Sequence, residues 1–185
     1  MESVLTEKGI KVSFVMDREV SLSLDRQLIE LLSVCYSTTP DWLDRTKRHF
    51  KEIHEYRWFI QMDGAMVSAQ VAVHDKVFGT EAGDVRTGGI AEVAVHPSWR
   101  GRRYVHLMLN EVEEFLRLSG VPFAVLFGDE KIYGSRGYRA EANPCRYWDV
   151  FDNKFRITTE LSLRVKPLGE KAWPAGLIDL RGPLF

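Results

Sequence analysis

The chain has 185 residues, 45% of them hydrophobic and 28% charged, with a formal net charge of −1. This balance excludes disorder, and the length suits one domain with a sizeable core rather than two ordinary ones. Near-neutrality gives no electrostatic case for nucleic acid or an anionic membrane as partner, although basic residues gather locally at Arg100–Arg103.

Cysteine occurs twice, at Cys35 and Cys145, without metal-ligand spacing. The count allows one disulfide, but two reduced, mostly buried thiols are the expectation, and no metal is. Met1–Ile10 has neither a basic region nor an apolar stretch, and nothing later approaches membrane-spanning length. A cytoplasmic protein is expected.

The first strand is predicted at Val12–Met16. A helix follows over Ser23–Tyr36, where Leu24, Leu28, Leu31, Leu32 and Cys35 recur at helical spacing with Asp25 and Glu30 on the other side. Thr39-Pro40-Asp41 reads as the start of a second helix, with Leu43, Thr46, Phe50 and Ile53 on one face and Lys47, Arg48 and Lys51 facing water. Tyr56–Met62 and Met66–Val73 flank Asp63-Gly64, a dipeptide that tight hairpin turns prefer, and Val77–Thr80 can prolong the second arm.

A polar loop, Glu81–Arg86, leads to the strand Ile90–His96. Leu107–Leu118 is the clearest helix: Val105, Met108, Leu109, Val112, Phe115 and Leu116 share a face, and Gly120 ends it. Val121–Phe127 is an apolar run that suits a strand buried on both faces. Asp129 is placed to cap a short helix up to Ser135, and Tyr138–Val150 resumes as strand. The order indicates an α/β single domain, a mixed sheet with helices on its faces.

The chemistry concentrates at Val93-Ala94-Val95-His96-Pro97-Ser98-Trp99-Arg100-Gly101-Arg102-Arg103-Tyr104-Val105. A strand ends, a basic glycine-containing loop turns, and a helix starts. The free N–H groups and positive dipole end of that helix make the junction an anion site, with a diphosphate as its natural ligand.

The pattern of a strand, Pro-x-x-Arg-Gly-x-x-hydrophobic and a long helix resembles motif A of the GNAT superfamily of acyl-CoA-dependent N-acyltransferases. Val121–Gly128 and then Lys131–Tyr138 are similar to that family's next strand and its Tyr-x-x-x-Gly-[Tyr/Phe] signature. The resemblance spans Ile90–Arg139. It implies a mostly antiparallel sheet splayed between two parallel strands, helices on both faces, and acetyl-CoA as co-substrate.

By the same resemblance, the amides of Arg100, Gly101, Arg102, Arg103, Tyr104 and Val105 bind the CoA pyrophosphate. Pantetheine bonds the backbone around Val93, Ala94 and Val95, and Asp129 joins the cofactor-binding residues. The family usually has glycine where Arg103 stands and glycine or alanine where Val105 stands. Amides there still serve if the loop avoids positive φ.

Acyl transfer needs deprotonation of an amine, stabilisation of an oxyanion and protonation of a leaving thiolate. Tyr133 matches the family's general acid, although a core aromatic role is the plain alternative. Glu92 stands near the family's usual base, with an outward solvated carboxylate as its alternative. His96 is a second base candidate, and the oxyanion donor is the amide near Val95. Trp42, Tyr56 and Trp58 line an acceptor pocket or are simply core. Asp41 and Asp44 attract a cation or merely begin a helix, and Cys145 is packed rather than nucleophilic.

The tail Trp173–Asp179 with Gly182-Pro183 resembles the closing segment of the nodulation A N-acyltransferases, although turns around a short last strand explain it too. If the tail flanks the acceptor, Asp179 binds an amine or hydroxyl. The acceptor implied is a small-molecule amine, such as an amino sugar or aminoglycoside. A homodimer stays open, as does a GNAT-fold module that binds acyl-CoA without catalysis. A nucleotide-binding protein is disfavoured, because the loop lacks the P-loop lysine pattern and G-x-G-x-x-G spacing.

Overall fold

The structure, a computed structural model, describes residues 2–5, 9–36, 46–62 and 66–185. The strands are β1 (Glu2–Leu5), β2 (Lys11–Met16), β3 (Tyr56–Met62), β4 (Met66–Thr80), β5 (Gly83–Val95), β6 (Phe123–Phe127), β7 (Arg139–Ala140), β8 (Cys145–Asp149), β9 (Lys154–Thr158), β10 (Leu163–Pro167) and β11 (Ile178–Asp179). The helices are α1 (Leu22–Cys35), α2 (Tyr104–Leu118) and the single turn α3 (Glu130–Tyr133). The chain forms two compact units, Met1–Val73 with Glu92–Val112, and His74–Ala91 with Glu113–Phe185. β4, β5 and α2 contribute residues to both.

In the first unit β1, β2, β3 and the start of β4 pair antiparallel in sequence order. Alternation along β2 and β3 puts Val15 and Phe59 on one face and Phe14 and Trp58 on the other. The leucine stripe of α1, Leu24, Leu28, Leu31 and Leu32, packs on the first face against Val15, Phe59, Val67 and Ala94. Each such leucine contributes roughly 2 kcal/mol of burial. Ser21 caps α1 by accepting from the Leu24 amide at 3.2 Å. Phe14 and Trp58 meet ring to ring at 4.8 Å, and the Tyr104 hydroxyl at the head of α2 reaches the Met62 sulfur at 3.9 Å.

In the second unit β5 pairs parallel with β6 at Thr87–Gly89, β6 pairs antiparallel with β10, and β10 with β7. β8 lies between β9 and β11, antiparallel to the first and parallel to the second. Phe78, Phe123, Val125, Cys145, Leu163, Val165, Ile178 and Leu180 form the core. The α/β class with a mixed sheet is the one expected. Both cysteines are free thiols, Cys145 fully buried and Cys35 partly so.

Several expected elements differ. The second helix is absent over its described part: residues 46–53 run as turn and bends, while Thr39, Pro40, Asp41, Trp42, Leu43 and Asp44 lie outside the described residues. Long-range bonds decide this conformation. Arg48, expected to face water, pairs with Asp17 at 2.8 Å and Asp25 at 2.7 Å. The Phe50 amide bonds the Glu92 carboxylate instead of a helical carbonyl. Ile53 is consequently 60% exposed, and His54 is buried in its place.

The Asp63-Gly64 turn also lies outside the described residues, although its arms pair as expected. The polar loop Glu81–Arg86 contracts to Glu81 and Ala82, because β4 runs to Thr80 and β5 starts at Gly83. Arg86 inside the strand is held by Asp75 at 2.6 Å. α2 begins at Tyr104 rather than Leu107. Tyr138–Val150 is two strands, β7 and β8, not one. Between them Asn143 donates to the Pro174 and Gly176 carbonyls at 3.1 and 2.7 Å and accepts from Trp173 at 2.8 Å, which bends the chain away from a ladder.

Candidate functional site

The end of β5, the following loop and the head of α2 all belong to the first unit. The His96 ring caps the short turn Pro97–Trp99 by accepting from the Ser98 amide at 3.3 Å. It therefore serves the loop's shape. Arg100 returns its Nε to the Val95 carbonyl at 3.3 Å. Gly101 takes φ 76°, a left-handed turn that favours glycine. The Arg102 guanidinium lies 4.5 Å above the Trp99 ring, and Trp99 stacks on Tyr104 at 6.3 Å.

Arg103 also has positive φ, 63°. The condition set for the amides there, a loop that avoids positive φ, is therefore not met at Arg103. The position where the resembled family carries glycine is left-handed here as well, at a cost to arginine of roughly 1–2 kcal/mol. The Leu107 amide bonds the Arg103 carbonyl at 3.1 Å, so the amides of Tyr104 and Val105 precede the helical ladder. Arg100, Gly101, Arg102 and Arg103 are exposed, Val105 is half-buried and Tyr104 is buried. Exposed guanidinium groups beside the positive end of a 15-residue helix make a strong anion-attracting surface.

Upstream, the strand edge is already engaged. The Val93 carbonyl accepts from the Tyr36 hydroxyl at 2.9 Å, and the Val95 carbonyl from the Cys35 thiol at 3.3 Å. Burial is the main influence on Cys35 and pushes its thiol up, so it stays protonated and able to donate. Ala94 is buried in the α1 core. Glu92 sits in β5 with φ 49°, and its carboxylate accepts from the Phe50 amide at 2.7 Å. This half-buried carboxylate is oriented, not freely solvated. Trp58 and Tyr56 share a ring cluster with Phe14.

Tyr133 and Asp129 belong to the second unit. Asp129 caps α3, accepting from the Lys131 amide at 2.9 Å, and is exposed. That cap turns Tyr133 inward, 8% exposed, where its ring lies on Gly128: a Cβ there would come within 2.6 Å of it. Burial pushes the Tyr133 phenol up to about 12, so it is fully protonated at neutral pH. Tyr138, 6.1 Å away ring to ring, donates instead to Glu113 at 3.2 Å. Glu113 also receives Arg136 at 2.8 Å and Lys166 at 2.7 Å. Asp179 is engaged by Arg146 at 2.5 Å and the Arg181 amide at 2.9 Å.

The structure brings Glu92, Val93–Val95 and the Arg100–Val105 loop into one unit and places Tyr133 in the other. Sequence patterning had not singled out Tyr36, Gln70 or Arg57, and had read Cys35 only as a mostly buried thiol on the helical stripe. The available signal was a basic residue inside the apolar run around Trp58. Among the described residues no group of His, Cys, Asp and Glu is placed to hold a metal, and no helix is long and apolar enough to cross a membrane.

A family model for an acetyltransferase (GNAT) domain matches residues 18–140. The chain resembles a GNAT family N-acetyltransferase from Escherichia coli in complex with CoA, at 18% identity and TM-score 0.65, covering 95% of this chain and 92% of that one. A GNAT family acetyltransferase from Brucella melitensis in complex with acetyl-CoA is similar at 13% identity and TM-score 0.59, covering 90% and 94%. A conserved protein of unknown function from Enterococcus faecalis V583 matches at 18% identity and TM-score 0.57, covering 70% of this chain. The chain spans about a third (32%) of that protein's length. No curated protein matches.

Proposed function

The chain belongs to the GNAT acetyltransferase family, and on that premise we propose that it transfers an acetyl group from acetyl-CoA directly to a primary amine of a small molecule, such as an amino sugar or aminoglycoside. The observation that carries this reading is the loop from Arg100 to Val105. Its exposed arginines and the amides of Tyr104 and Val105, which precede the helical ladder, offer a diphosphate both charge and backbone donors.

In this mechanism the Glu92 side chain, as base, takes the ammonium proton, and the amine nitrogen attacks the thioester carbonyl. The C–N bond forms, the C–S bond breaks, and the Tyr133 phenol donates its proton to the departing thiolate; the acylated nitrogen then loses its second proton to give the amide, and the phenolate regains a proton from solvent. The Phe50 amide holds the Glu92 carboxylate in one orientation, which a positioned base requires. Burial keeps Tyr133 protonated, as an acid requires. Asp179 has no part in this reading, because Arg146 already claims it.

Calorimetry with CoA and acetyl-CoA, followed by an amine panel read by free-thiol release, tests the proposal. Binding of both ligands and amine-dependent thiol release are expected. Binding without release would make the chain an acyl-CoA-binding module, and no binding would remove the co-substrate assignment.

A further inference from the structure

A buried polar line runs beneath Glu92, and acyl transfer as described leaves it without a role. Asp17, Arg57 and Gln70 are each 0% exposed. In the strand register Arg57 lies opposite Val15 and Ala72, and Gln70 opposite Phe59, so these two side chains lie diagonally on one sheet face, with Asp17 just past the end of β2. Arg57 donates through Nε to Asp17 at 2.8 Å and through Nη1 to the Gln70 side-chain oxygen. A guanidinium has donors only, so Gln70 must face it with oxygen and turn its amino group away. That amino group donates to the Glu92 carbonyl at 3.1 Å.

Glu92 occupies a left-handed conformation inside a strand, φ 49°, which a non-glycine residue holds only when its surroundings impose it. Gln70 grips its carbonyl, and the Phe50 amide grips its carboxylate at 2.7 Å. Net stability does not account for the line. A buried ion pair such as Asp17–Arg57 is often no better than apolar residues of the same volume.

We infer that Gln70 is a positioning residue for acyl transfer: oriented by Arg57 and Asp17, it pins the Glu92 carbonyl and thereby sets the direction in which the Glu92 carboxylate meets the substrate. This inference rests on the reading of the chain as an N-acyltransferase with Glu92 as base.

Gln70→Glu keeps the volume and the acceptor for Arg57 but cannot donate to Glu92 once ionised, and Gln70→Met neither accepts nor donates. With the most active amine of the panel, kcat is expected to fall about ten- to a hundred-fold in both. KM for acetyl-CoA and the Kd of CoA should stay within about two-fold, since the CoA loop is untouched. Crystal structures of the variants should show Glu92 outside the left-handed region. Unchanged kcat, parallel loss of kcat and CoA affinity, or failure of both variants to fold would overturn the inference. Were the wild-type protein to release no thiol with any amine, the acyltransfer reading would fail. Glu92 retaining its left-handed φ in Gln70→Glu would then separately remove the pinning role.

Discussion

The Tyr36 hydroxyl donates to the Val93 carbonyl at 2.9 Å, so a side chain at the end of α1 occupies an acceptor on the β5 edge. Val93 and Val95 are two residues apart, and their carbonyls leave the same edge of the strand. Cys35 takes the second of them at 3.3 Å. An extended ligand carrying amides would seek these same acceptors. Tyr36→Phe removes a competing hydrogen bond worth about 1 kcal/mol, so CoA should bind roughly five-fold tighter. Adenosine 3′,5′-bisphosphate, which lacks the pantetheine arm, should bind wild type and variant alike. Calorimetry on both ligands checks this; weaker CoA binding in Tyr36→Phe would show that Tyr36 assists the ligand rather than competing with it.

Arg103 holds φ 63° one residue before α2 begins. Arg103→Ala and Arg103→Gly lose the same charge, and only the glycine relieves the left-handed strain. Arg103→Gly should therefore be about 1 kcal/mol more stable than Arg103→Ala in denaturant unfolding. Both should weaken CoA binding by a similar factor if the guanidinium acts by its charge. Equal stability of the two would mean that residue 103 leaves the left-handed region at no cost.

The elements that local periodicity specifies are those read correctly from sequence. The leucine stripe of α1, the apolar stripe of α2 and the Arg-Gly loop between β5 and α2 all rest on residues within a few positions of one another. What escaped detection depends on partners distant in the chain. Residues 46–53 carry helix-like spacing, yet Arg48 is drawn to Asp17 and Asp25, and Phe50 to Glu92. The break between β7 and β8 is likewise imposed by the carbonyls of Pro174 and Gly176 on Asn143. For the candidate site, the Arg100–Val105 loop and Tyr133 stand out in the sequence as a pattern. The left-handed Glu92 and the Asp17–Arg57–Gln70 line beneath it do not, because register across three strands creates them.

The Asp17–Arg57 pair gives a prediction that separates stability from position. Asp17→Leu strands a fully buried guanidinium and should cost about 3–5 kcal/mol. Adding Arg57→Met removes the stranded charge and should restore much of that loss, as read by urea unfolding. The double variant still lacks the donor that orients Gln70, so its kcat should stay low despite recovered stability. Recovery of kcat together with stability would show that the buried line is purely structural.

Tyr133 ties the proposed acid to an alkaline stability limb. Its phenol is raised from the ordinary 10 to about 12 by burial alone. The raised value means the folded protein holds this proton more tightly than the unfolded chain does. The resulting stabilisation is fully present below pH 10 and is lost as pH rises from there towards 12, amounting to roughly 3 kcal/mol. Tyr133→Phe should remove that contribution to the alkaline limb. As the acid, Tyr133 also stays protonated across the neutral range, so its ionisation should not limit turnover below about pH 10. Tyr133→Phe should lower kcat by about 10²- to 10⁴-fold while the Kd of CoA stays nearly constant. A drop in kcat between pH 7 and 9 that disappears in Tyr133→Phe would contradict the raised phenol. Wild-type turnover in Tyr133→Phe would assign thiolate protonation to another donor.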